Sequence, residues 1–180
     1  MGVRIIDADD VVHELESPGG AAVAPIVARF GDSVLAPDGG IDRASLAKLV
    51  FAPGGPRDRP AAARNDLESI LFPLVKQRLD DFLSAPQFSV AIIPLLFESH
   101  WDEDYDIIVA LVSEHEAQIR RMAETRGQTR EEAEARISAQ MPVAEKAARA
   151  DYVVRNDSTP QALHAEAVRL VEWLKSKTRG

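Results

Sequence analysis

The sequence contains no cysteine among its 180 residues, which excludes disulfide scaffolds, thiolate metal sites and cysteine nucleophiles. It has no long apolar run: the longest, Val90 to Phe97, falls far short of the about 18 residues a membrane span needs. It has no basic excess, since 21 Lys and Arg face 29 Asp and Glu for a net charge of −8. That balance argues against a general nucleic-acid or anionic-membrane binder. A local arginine cluster could still hold a phosphorylated small molecule. The first residues reach Asp7 after two apolar pairs, unlike a signal peptide. Met1-Gly2 lacks the Ser or Thr at position 6 that myristoylation favours, because Ile6 stands there. A soluble cytoplasmic protein is expected.

Nor is there a Walker A loop. None of the lysines, Lys48, Lys76, Lys146, Lys175 and Lys177, follows a glycine, and G-x-x-x-x-G-K-[ST] is what cradles a polyphosphate. The Gly-Gly pairs at 19–20, 39–40 and 54–55 therefore read as turns.

What is present is an alternation of strands and helices in a chain long enough for one domain, 46% apolar and 28% charged. Val3 to Ile6 is an apolar strand running into a helix after Asp7. Ala21 to Phe30 reads as a helix stopped by Gly31, and Asp42 can cap a helix to about Phe51. Ala52 to Arg64 contains three prolines, two glycines and no Leu, Ile, Val or Phe, and reads as a mobile loop. Asn65 to Ala85 is a helix with Leu67, Ile70, Leu71, Leu74, Val75 and Leu79 at helical spacing, with a break or kink expected at Pro73. Val90–Ile93 and Ile107–Val112 are continuous apolar runs, which predicts parallel strands covered on both faces. Capping boxes at Ser113 and Thr129 predict helices to about Arg126 and Gln140. A last strand over Asp151–Arg155 and a helix from Pro160 to about Lys175 complete an α/β chain with a parallel sheet.

Two groups of residues could carry chemistry. Asp7 and Asp9 lie at the carboxyl end of the first strand, the edge where open α/β sheets bind ligands. Carboxylates there can hold Mg²⁺ or take a proton from an attacking hydroxyl, although Asp after a strand is also a common helix cap. Arg120, Arg121, Arg126, Arg130 and Arg136 crowd two short helices, and guanidinium forks suit polyphosphates. Glu116 and Glu132 stand four residues before Arg120 and Arg136, so solvated helix pairs would also explain part of that cluster. Glu98, after Ile93-Pro94-Leu95-Leu96-Phe97, is the one polar group its segment offers. The four histidines, His13, His100, His115 and His164, lack ligand spacing.

Taken in order, Ile5-Ile6-Asp7-Ala8-Asp9, Phe30-Gly31, Asp38 to Arg43, Ile93 to Ser99, Ala135 to Gln140 and Ala150-Asp151 to Asn156 resemble the dephospho-CoA kinase family, which completes coenzyme A biosynthesis. The resemblance spans nearly the whole chain. It implies a P-loop kinase fold in a single domain, 1–180, with a nucleotide-binding core, a helical CoA-binding lobe over about 20–85 and a lid over about 114–148. It implies ATP with Mg²⁺ as donor and the ribose 3′-hydroxyl of dephospho-CoA as acceptor. By that likeness Asp9 takes the hydroxyl proton, with Asp7 beside it on the substrate or Mg²⁺ side. Arg136 reaches the phosphates from the lid, Arg121 is a second candidate on the nucleotide side, Gln140 shares the lid segment and Asn156 lies beside the adenine. No metal ligand is assigned. Two rivals are a non-catalytic CoA- or nucleotide-binding protein derived from that family and a related nucleoside or nucleotide kinase.

The chain departs from the family pattern in several places. The family opens with a strand, a Gly-rich loop ending in Lys-Ser or Lys-Thr, and a helix, a unit of about 20 residues ahead of the part matched by Met1-Gly2. A fold without first strand, P-loop and first helix is therefore expected, with the strands of Ile92 and Val109 unpaired on one side. Activity lower by many orders of magnitude is expected too, since phosphoryl transfer is mostly positioning and electrostatics. Smaller differences are Phe72 where His is usual, Ile92 where Asp is common, and the long Ala52–Arg64 loop.

Overall fold

The computed structural model describes residues 3–51, 58–157 and 159–177. It divides into two compact units, Met1–Pro94 and Leu95–Gly180.

In the first unit, β1 (Arg4–Asp7) lies parallel to β2 (Ser89–Ile92), with Ile5 opposite Val90 and Asp7 opposite Ile92. Between them in sequence come α1 (Ala8–Glu16), α2 (Val23–Phe30), α3 (Arg43–Phe51) and α4 (Asp58–Leu83). The core includes residues four apart on three helices, Val11 and Leu15, Leu46 and Val50, Val75 and Leu79, with Ala22, the cap of α2, four before Ile26. That spacing puts each pair on one helical face. Gly20 permits a close crossing between the end of α1 and the turn before α2, since a Cβ there would lie 2.1 Å from the Leu15 carbonyl oxygen. Beneath the same turn, buried Glu16 is paired with Arg43 at 2.7 Å. Asp42 caps α3, accepting from the Ala44 and Ser45 amides and the Ser45 hydroxyl. The bonds from Ser45 hold the Asp42 carboxyl below its ordinary value.

In the second unit, β3 (Val109–Val112) lies parallel to β4 (Tyr152–Arg155), with Val109 opposite Tyr152 and Val112 opposite Arg155. Its helices are α5 (His115–Arg126), α6 (Arg130–Ser138), α7 (Val143–Arg149) and α8 (Pro160–Lys177). Phe97, Val112, Ala117, Ile119, Ala133 and Val154 form its core. The Thr129 capping box forms as expected, with Glu132 returning a bond to the Thr129 amide. Thr159 caps α8, accepting from the Ala162 amide.

Four expectations need correction. The residues from Asp58 to Arg64 belong to α4 rather than to a loop; Pro60 sits in the first turn, where its missing N–H costs nothing, and Ala61 to Ala63 favour helix. The part of that loop over 52–57 lies outside the described residues. The helix also continues through Pro73 without a break. Pro73 and Ser69, whose carbonyl loses its partner, are both exposed, so water can satisfy the freed oxygen. The Ser113 box does not form; the α5 cap, Glu114, makes no side-chain bond, because the Ser113 hydroxyl is used elsewhere. The strands are not covered on both faces: Ile5 is 61% and Leu111 64% exposed, and Val90, Ile92 and Val109 are exposed beside them. Each sheet has only two strands, and no larger sheet forms among the described residues.

Candidate active site

Asp7 closes β1 and opens α1. Its backbone is extended and its carboxylate accepts from the Asp9 amide at 2.9 Å, so Asp7 is a true N-cap. Asp9 stands exposed in the first turn of α1. The His13 ring meets its backbone oxygen at 3.0 Å, but the Asp9 carboxylate has no partner among the described residues. One carboxylate is thus structurally committed and the next is open at the carboxyl end of a parallel strand. As hard oxygen donors, the pair suits Mg²⁺, which takes one or two carboxylates and draws its other ligands from water and phosphate. No group of three or more potential metal ligands gathers among the described residues.

The arginine cluster separates into distinct roles. Arg130 is bound to Glu116 at 2.5 Å and to Glu134 at 2.9 Å, and the Glu116 bond raises its pKa further above the ordinary range. The i,i+4 pairs expected for Glu116 and Glu132 therefore do not form. Glu116 reaches across to α6, and Glu132 turns back to cap its own helix. Arg120 and Arg136 are exposed without side-chain partners among the described residues. The Arg126 side chain lies outside the description. Arg121 and Asn156, expected separately, are brought together: Arg121 donates to the Ser113 hydroxyl at 2.7 Å, to the Asn156 carbonyl and to Asn156 Oδ1 at 3.0 Å.

Gln140 sits in the turn between α6 and α7, its amide on the Ile137 carbonyl. The neighbouring Met141 amide donates to Glu98 Oε1 at 2.9 Å, and Lys146 pairs with the same oxygen at 2.8 Å. Glu98 Oε2 is buried without a hydrogen-bond partner among the described residues. Burial opposes ionisation of Glu98, but the bonds from Lys146 and Met141 outweigh it and lower its pKa. Sequence reasoning missed this link and the helix α7 that supplies Lys146. The isolated polarity of Glu98 at the end of an apolar segment was the available signal.

Parallel strand pairs flanked by helices define an α/β protein. The family model for dephospho-CoA kinase matches residues 1–161, and the chain belongs to that family. It is 34% identical over 179 residues to a dephospho-CoA kinase from Thermobifida fusca, covering 98% of this chain and 86% of the relative. It is 37% identical over 180 residues to one from Geobacter sulfurreducens, covering 97% and 87%. A crystal structure from Thermus thermophilus superposes with a TM-score of 0.76 at 29% identity, covering 94% of this chain and 83% of that one. The fold of a dephospho-CoA kinase from Campylobacter jejuni matches with a TM-score of 0.67 at 21% identity, covering 98% and 87%. No described helix is long and apolar enough to cross a membrane.

Proposed function

We propose that this chain transfers the γ-phosphoryl group of ATP to the ribose 3′-hydroxyl of dephospho-CoA, giving coenzyme A, in the cytoplasm. Family membership supports the reaction, and the observation that carries the assignment of roles is the open Asp9 carboxylate beside its committed neighbour Asp7. Asp9 accepts the proton of the attacking hydroxyl. Asp7 fixes the first turn of α1, and one of the two carboxylates would hold Mg²⁺, which neutralises charge on the phosphates when bound. Arg136, exposed on α6 without a side-chain partner among the described residues, meets the transferred phosphoryl group, and Gln140 contributes to substrate binding from the following turn. Asn156 and Arg121 serve the nucleotide. The helices over about 20–85 form the CoA-binding lobe, and about 114–148 the lid.

The 180 residues contain no Gly-rich loop ending in Lys-Ser or Lys-Thr, so holding of the β- and γ-phosphates is weak in this sequence by itself. The test is product analysis with ATP, Mg²⁺ and dephospho-CoA, run on this chain and on one extended ahead of Met1 by a strand, such a loop and a helix. Coenzyme A phosphorylated at the 3′ position is expected from the extended chain, and only many orders of magnitude more slowly from the 180 residues. Phosphorylation of a nucleoside in preference to dephospho-CoA, or no 3′-phosphate from either chain, overturns the reading.

A further inference from the structure

One carboxylate oxygen ties down the turn between α6 and α7. Backbone bonds run out of α6 into that turn, from the Ala139 amide to the Ala135 carbonyl and from the Gln140 amide to the Ile137 carbonyl. The next amide, that of Met141, leaves the pattern and donates to Glu98 Oε1 at 2.9 Å. Pro142, the cap of α7, has no N–H to continue it. Lys146 of α7 then brings its ammonium to the same Glu98 oxygen at 2.8 Å. Glu98 thus holds the chain on both sides of the Met141-Pro142 step, and Gln140 stands just before it. Helix α7 has an anchor of its own, since Arg149 pairs with Asp102 at 2.5 Å and lies 4.4 Å over the buried Phe97 ring. What Glu98 adds is the link from that anchored helix to the turn. A carboxylate is a costly means of making it. The Glu98 and Lys146 side chains are only 23% and 18% exposed, and Glu98 Oε2 is buried without a partner among the described residues. Desolvation offsets much of the attraction of such a pair, and apolar residues of similar volume commonly hold a structure as well. A directed bond to the Met141 amide is what an apolar side chain could not supply.

We propose that Glu98 is a positioning residue for the phosphoryl acceptor: by fixing the turn over Gln140, Met141 and Pro142 it sets where Gln140 meets dephospho-CoA. This rests on the reading of Gln140 as a substrate-binding residue. A residue that acts through Gln140 has a signature that a merely structural one lacks. Removing both loses no more affinity than removing either, whereas independent effects add.

The probe is dephospho-CoA, titrated calorimetrically into the 180-residue chain as parent, Glu98→Met, Gln140→Ala and the double variant, each well below its Tm. Each single variant should bind about tenfold more weakly, the equivalent of one hydrogen bond, and the double variant also about tenfold rather than about a hundredfold. Where Glu98→Met does not fold, Glu98→Met combined with Lys146→Met takes its place in the cycle, because it leaves neither charge buried alone. Glu98→Gln keeps an oxygen for the Met141 amide and should retain most of the affinity. Thr159→Ala, which lowers the Tm of the same unit by removing the cap of α8, should leave affinity unchanged. Parent-like affinity in Glu98→Met, losses that add with Gln140→Ala, or an equal loss in Thr159→Ala overturns the proposal while the role of Gln140 stands. Unchanged affinity in Gln140→Ala, or no binding of dephospho-CoA by the parent chain, removes the reading it rests on and the proposal with it.

Discussion

At the residue scale, Glu98 shows how one side chain can hold two parts of a unit. Its Oε1 accepts from the Met141 amide and from Lys146, fixing the turn that carries Gln140 against the segment after Pro94. Because its folded pKa is lowered, its contribution to stability is complete above the unfolded carboxylate range and lost as pH falls through the depressed value. Glu98→Gln should therefore reduce Tm at neutral pH and flatten the decline of Tm below about pH 4.5. A parent and variant with parallel Tm profiles across that window would remove Glu98 from this role. Gly20 is a second single-residue constraint. Any Cβ there meets the Leu15 carbonyl at 2.1 Å, so Gly20→Ala should destabilise the first unit by at least about 1–3 kcal/mol in chemical denaturation.

At the scale of elements, much was legible in the sequence because local chemistry decided it. Asp42, Thr129 and Thr159-Pro160 start helices where their side chains predict, and Gly31 ends one. Thr129→Ala should cost about 1 kcal/mol, read as a lower Tm of the second unit. The Ser113 box was misread for a reason outside its own segment: its hydroxyl serves Asn156 and Arg121, and Asp157 binds the Glu114 amide just ahead of α5. Helix α7 went unseen because Val143–Arg149 is short, and Lys146 and Arg149 bind acidic partners, Glu98 and Asp102, more than 40 residues away. Arg130 likewise chose Glu116 on another helix, a partner that spacing could not predict.

At the scale of the molecule, parallel pairing was legible from the continuous apolar runs, while coverage of both faces was not. Periodicity reports what a strand can bury, and the partners that would bury it lie elsewhere in sequence. The exposed Ile5, Val90, Ile92, Val109 and Leu111 are where that difference shows. The candidate site was only partly legible. Asp7 and Asp9 were found as a pair, but the structure alone distinguishes the cap from the open carboxylate and joins Arg121 to Asn156. The most direct test of the proposed chemistry is the rate of 3′-phosphorylation of dephospho-CoA in the N-terminally extended chain, with Asp9 intact and as Asp9→Asn. The expected result is a fall in kcat of about 10²–10⁴ with little change in the KM for dephospho-CoA; an unchanged kcat would contradict Asp9 as the base.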